Sequence, residues 1–72
     1  MKSARELRML RRGKGYDSQR SMSEVLAEHG IKMTPQAYCM KENGKSKFKP
    51  KEIKALSEIF EMTLEDAFDA FS

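Results

Sequence analysis

Apolar residues along this chain recur at intervals of three and four and nowhere alternate with a period of two, which predicts short helices throughout and no strands. Leu7 and Leu10 form the inward pair of a first helix over about 4–12, with Arg5, Arg8 and Arg12 left outside. Gly13 and Gly15 end it. Met22, Val25 and Leu26 make the apolar stripe of a second helix, and Gly30 supplies its stop. Asp17 or Ser18 can open that helix. Ser21-Met22-Ser23-Glu24 is the better start, because serine and glutamate at this spacing can satisfy each other's backbone donors.

Thr34-Pro35 opens a third helix: threonine accepts from an orphan amide, and proline fits the first helical position, where no amide is needed. It continues to about Glu42, where Asn43-Gly44 terminates it. A fourth helix begins at Lys49-Pro50 and runs to about Phe60, with Ile53, Leu56, Ile59 and Phe60 on one face. Thr63-Leu64-Glu65-Asp66 caps a fifth, in which Leu64, Ala67, Phe68 and Phe71 recur at three and four. Phe68 and Phe71 suit either the core or a patch where two copies meet, and Phe68 is assigned to the core. No repeat, low-complexity stretch or linker divides residues 1–72. One all-α domain of five helices is expected.

Seventy-two residues bury only about 60% of the surface that the unfolded chain exposes, so a deep cleft is not expected. The longest uncharged stretch, Met33 to Met40, is eight residues, against the roughly 20 that cross a bilayer. Basic residues near the start (Lys2, Arg5, Arg8) are not followed by a long apolar run, so they do not read as a secretory signal. With one cysteine, Cys39, no internal disulfide can form, and a cytoplasmic protein is expected. One histidine, His29, and one cysteine make no metal-ligand set, so neither metal nor cofactor is expected. His29 reads as a surface residue in the last turn of its helix, where the carbonyl end favours a protonated ring.

The net charge of +3 conceals an uneven distribution. Residues 1–20 hold seven basic and two acidic side chains, residues 21–49 five and three, and residues 50–72 two and six. The positive field on the first two thirds suits a polyanion on one face.

Wound at about 100° per residue, the third helix separates Ala37, Tyr38 and the stem of Lys41 from Gln36, Cys39, Met40 and Asn43. The second group is short, uncharged and capable of both hydrogen bonds and apolar contact. A helix that reads base edges in a major groove needs such a face, since glutamine can pair with adenine and methionine or cysteine can touch a thymine methyl. Lys45-Ser46-Lys47-Phe48-Lys49 follows, with cations and a hydroxyl for phosphates and one aromatic to anchor the loop in the core.

These segments bear a resemblance. Leu10-Arg11 with Lys14-Gly15-Tyr16, then Lys41-Glu42-Asn43-Gly44-Lys45, then Glu52-Ile53 with Leu56-Ser57-Glu58-Ile59-Phe60 and Met62-Thr63-Leu64-Glu65 resemble the helix-turn-helix domain of lambdoid phage repressors, Cro proteins and related bacterial regulators. The resemblance runs from Leu7 to Phe68. It implies an ion pair between Arg11 and Glu42 that holds the DNA-binding unit together. It further implies base contacts from Gln36, Ala37, Cys39 and Met40, and backbone contacts from Ser18, Gln19, Arg20, Lys32, Thr34, Asn43, Lys45, Ser46 and Lys47.

On that reading the chain is a repressor or Cro-like transcriptional regulator of a phage or prophage. It occupies operator DNA with the helix from about Thr34 to Glu42 in the major groove, and two copies meet on a palindromic site. Its partners are then double-stranded DNA and a second copy, with no membrane. Two features depart from the family pattern: the segment from Asp17 to Gly30 is about one turn longer than usual, through an extended second helix or a loop before it, with Ile31-Lys32-Met33 lengthening the turn that follows, and Lys41 stands where an apolar residue is usual. The stem of Lys41 must then cover the core while its ammonium reaches water or a phosphate. The alternative is an antitoxin or antirepressor of the same fold that acts through protein contacts. No nucleophile with a base, pair of catalytic acids or glycine-rich phosphate loop points to an enzyme.

Overall fold

Four of the five helices open on a hydroxyl that accepts from an amide three residues on: Ser3 from Glu6 at 3.2 Å, Ser18 from Ser21 at 3.1 Å, Thr34 from Ala37 at 3.1 Å and Thr63 from Asp66 at 3.1 Å. The fourth helix lacks such a hydroxyl. There Pro50 occupies the first turn, and the Glu52 carboxylate accepts from the Lys49 amide at 2.7 Å. The structure, a computed structural model, describes residues 1–72 and contains α1 (Ala4–Gly13), α2 (Gln19–Glu28), α3 (Pro35–Glu42), α4 (Pro50–Ile59) and α5 (Leu64–Phe71), without strands. No helix is long and apolar enough to cross a membrane.

The start of α2 corrects the expectation of a Ser21 cap. Ser18 caps it, and Ser21 lies inside, its own hydroxyl 2.9 Å from that of Ser18. The earlier start places Met22 and Leu26 one turn apart on the buried face, both fully enclosed, whereas Glu24 stays in solvent without a capping role.

Each of the first four helices ends in the same way. A residue in the left-handed region (Gly15, Gly30, Gly44 or Glu61, φ 90°, 82°, 78° and 55°) turns the chain. The next amide then donates back to the helix: Tyr16 to Arg11, Ile31 to Leu26, Lys45 to Met40 and Met62 to Ser57, at 2.8–3.1 Å. Such turns normally bury the residue that follows the left-handed one. Tyr16, Ile31 and Met62 do pack against the core, but Lys45 is exposed.

The core has fourteen buried apolar residues, with α4 supplying Ile53, Ala55, Leu56 and Ile59. Phe48, in the α3–α4 loop, joins its two sides: its ring lies 6.0 Å from Tyr38 and 5.4 Å from Phe71. Full enclosure of side chains such as Leu26 or Leu56 contributes roughly 1.5–3 kcal/mol each. The apolar stripe expected on α5 needs correction at two residues. Phe68 is 36% exposed while Phe71 is 2% exposed, so Phe71 fills the core and Phe68 faces out, as does Leu64 at 49%. On α1, Leu10 is half-buried and packs against the core as its spacing predicts, while Arg11 takes the fully enclosed position beside Leu7.

The ends of α1 are tied to α5 and the turn before it. The Lys2 amide donates to the Ala70 carbonyl at 2.9 Å, and Lys14 Nζ lies 2.7 Å from Glu61 Oε1. These two contacts set α1 antiparallel to α5.

Candidate nucleic-acid interface

The base of α3 is fixed by a buried charge pair. Arg11, on the inner face of α1, donates from Nε to Glu42 Oε2 at 3.0 Å and from Nη2 to Glu42 Oε1 at 3.4 Å, and both side chains are 1% exposed. A third guanidinium donor, Nη1, reaches the Tyr16 carbonyl at 2.8 Å, so α1, the turn after it and α3 are joined through one residue. This forked, doubly bonded geometry is the form in which a buried ion pair recovers its desolvation cost. Tyr38 lies alongside. Burial, and then the negative charge of Glu42, push its phenol well above the ordinary tyrosine range.

Above this base, Tyr38 points inward and Gln36 and Met40 point out, Met40 being 49% exposed. Ala37 and Cys39 are half-buried on the flanks. Asn43 is committed to ending the helix: its Nδ2 donates to the Cys39 carbonyl at 2.8 Å and approaches Cys39 Sγ at 3.3 Å, while Oδ1 accepts from Arg8 Nη1 at 3.4 Å. Lys41 differs from expectation. Its ammonium pairs with Glu52 Oε1 at 2.6 Å and the side chain is 13% exposed, so that Glu52 ties α3 to the start of α4.

Around this face the other expected residues divide between helix starts and turns. The hydroxyls of Ser18 and Thr34 each accept a capping bond, and Gln19 and Arg20 stand in the first turn of α2, with Arg20 exposed. Lys32 is exposed in the α2–α3 turn. Lys45 and Lys47 are exposed after α3, with Ser46 half-buried between them. None of Arg20, Lys32, Lys45 and Lys47 forms an ion pair within the chain.

Arg8 was not foreseen at this site, although it stands one turn before Arg11 on the same flank of α1, and that spacing signals its place beside the end of α3. His29 ends α2 with Nδ1 3.0 Å from the Val25 carbonyl. A carbonyl only accepts, so that nitrogen carries hydrogen. No three His, Cys, Asp or Glu side chains come together as a metal site. No family model, no curated protein and no solved structure matches the chain.

Proposed function

We propose that this chain is a helix-turn-helix DNA-binding domain of the lambda-repressor-like kind, and that it acts as a repressor or Cro-like regulator by occupying operator DNA. In this reading α2 and α3 are the two helices of the motif, and α3 enters the major groove with Gln36 and Met40 toward the base edges. The amino end of α2, with Ser18, Gln19 and Arg20, and the turn carrying Lys45 and Lys47 flank the groove at the phosphates.

One observation carries the reading. Lys45 holds a turn position that the other three helix ends give to a residue packed on the core, and it projects into solvent beside an uncharged helix face. A break in an otherwise repeated local rule marks function more often than chance. The clamp formed by Arg11, Glu42 and Tyr16 adds support, because it holds α3 at a fixed angle to the rest of the domain, as base reading requires.

The test is an anisotropy titration of the protein against duplex DNA from upstream of its own gene, repeated across a salt series. Tight binding to one palindrome, weakening with salt by a slope of about 0.9 per neutralised phosphate, is the expected outcome. Absence of binding at low salt overturns the proposal.

A further inference from the structure

We propose that Glu52 is a positioning residue for DNA binding: through Lys41 and the Lys49 amide it fixes the second half of the α3–α4 turn and so sets Lys47 at a phosphate. This role presupposes the DNA-binding reading above. It goes further by giving a task to a carboxylate, a group that on charge alone repels DNA.

The turn is fastened unequally. Its first half is bound to α3 by the main chain, where the amides of Asn43, Gly44 and Lys45 donate to the carbonyls of Cys39, Lys41 and Met40 at 2.8–3.2 Å. Beyond Ser46 those bonds stop. The amides of Lys47 and Phe48 donate to no group of the protein, and the next one that does, that of Lys49, reaches Glu52 Oε1 at 2.7 Å. Lys47 therefore stands between two anchors, the Phe48 ring packed between Tyr38 and Phe71, and the Glu52 carboxylate. The same Oε1 accepts from Lys41 Nζ at 2.6 Å, so one oxygen holds the last turn of α3 to the far end of the loop.

A comparison within the molecule separates this from ordinary capping. Glu6 holds the equivalent place in α1 and accepts from the Ser3 amide at 3.2 Å, but its side chain is 57% exposed and its cation, Lys2, lies 3.9 Å away on the preceding turn. Glu52 is 11% exposed and pairs with a lysine of another helix, eleven positions earlier. Capping accounts for Glu6 in full. It requires neither the burial of Glu52 nor a partner across the turn. A charge-assisted bond withdrawn from water is stronger than an exposed one, which suits a fixed tether, and Lys41 neutralises the carboxylate beside the phosphate-facing turn.

The test measures anisotropy with duplex DNA from upstream of the gene across a salt series. Glu52→Gln raises the net charge of +3 by one, so charge alone predicts tighter binding. The expected result is the reverse: binding about five- to tenfold weaker at about 0.1 M salt, with a slope lower by about 0.9, the share of one phosphate. Glu6→Gln makes the same change of charge and should bind at least as tightly as wild type. In a Lys47→Ala background, Glu52→Gln should have no further effect. Binding by Glu52→Gln equal to or tighter than wild type overturns the proposal, and so does an equal loss in Glu6→Gln. A further loss on top of Lys47→Ala also overturns it, since Glu52 would then act through the orientation of α3. Should Glu52→Gln lose its helical circular dichroism, Lys41→Met combined with Glu52→Leu removes the acceptor without leaving a buried charge or altering the net charge, and should show the same loss. A wild-type protein that binds no DNA removes the DNA reading and this role with it; a wild-type protein that binds, matched by its Glu52→Gln variant, removes the role of Glu52 alone.

Discussion

Arg11 and Glu42, thirty-one positions apart in the chain, meet inside the protein as a doubly bonded pair with Nε and Oε2 3.0 Å apart. Stability in a domain of this length is on the order of 4–11 kcal/mol, and removing one member of a buried pair costs about 3–5 kcal/mol. Arg11→Met or Glu42→Leu alone should therefore remove a large part of that stability, read as a much lower midpoint in urea titrations. The double variant should lose much less than the sum of the two, because no uncompensated charge stays behind. Additive losses would mean that the two side chains act independently.

Tyr38 gives the domain an alkaline limit. Its buried phenol ionises in the unfolded chain near the ordinary value of 10 but resists ionisation in the folded protein. The folded value is raised, so this contribution to stability is complete below pH 10 and is lost progressively as pH rises above it. An ultraviolet titration should show one of the two tyrosines ionising reversibly, with the second appearing only as helical structure is lost. Two independent, reversible transitions would contradict the burial of Tyr38.

Gln36 and Lys45 should separate base reading from phosphate attraction. On the DNA-binding proposal, Gln36→Ala relaxes preference at one base pair by about 1–3 kcal/mol and leaves the salt slope unchanged. Lys45→Ala weakens all sequences alike and lowers the slope by about one. Identical behaviour of the two variants would remove the division of roles.

The helix ends predict opposite effects of glycine. Gly44 has φ 78° with open space around its Cα, so Gly44→Ala meets no clash and loses about 1 kcal/mol from backbone strain alone. Glu61 adopts φ 55° in the equivalent turn with a side chain that is 78% exposed. Glu61→Gly should raise the thermal midpoint, because an exposed bridge to Lys14 contributes little. A lowered midpoint would show that the bridge outweighs the strain.

Local chemistry made most of the helix boundaries legible. Thr34-Pro35, Lys49-Pro50 and Thr63 mark starts, and Gly30 and Asn43-Gly44 mark stops, through bonds made within a few residues. Where two local solutions competed, as with Ser18 and Ser21, the burial of Met22 and Leu26 against distant residues decided between them. The same limit explains Phe68. Periodicity marks an apolar stripe, but in a domain this small the neighbouring helices cover only the Ala67, Ala70 and Phe71 side of α5. The outward placement of Gln36 and Met40 followed from winding α3, whereas the capture of Lys41 by Glu52 required knowing that α4 begins beside it. The Arg11–Glu42 contact was reached only through the family resemblance, since neither residue carries a local signal of burial.

The bond between the Lys2 amide and the Ala70 carbonyl means that the chain enters and leaves this bundle at one doorway. A short peptide should be able to join residue 72 to residue 1, and new ends cut into the exposed Lys45–Lys47 turn or the exposed Gly13–Gly15 turn should then leave the five helices in place. The same doorway lets the whole bundle be inserted into a loop of another protein without stretching its host.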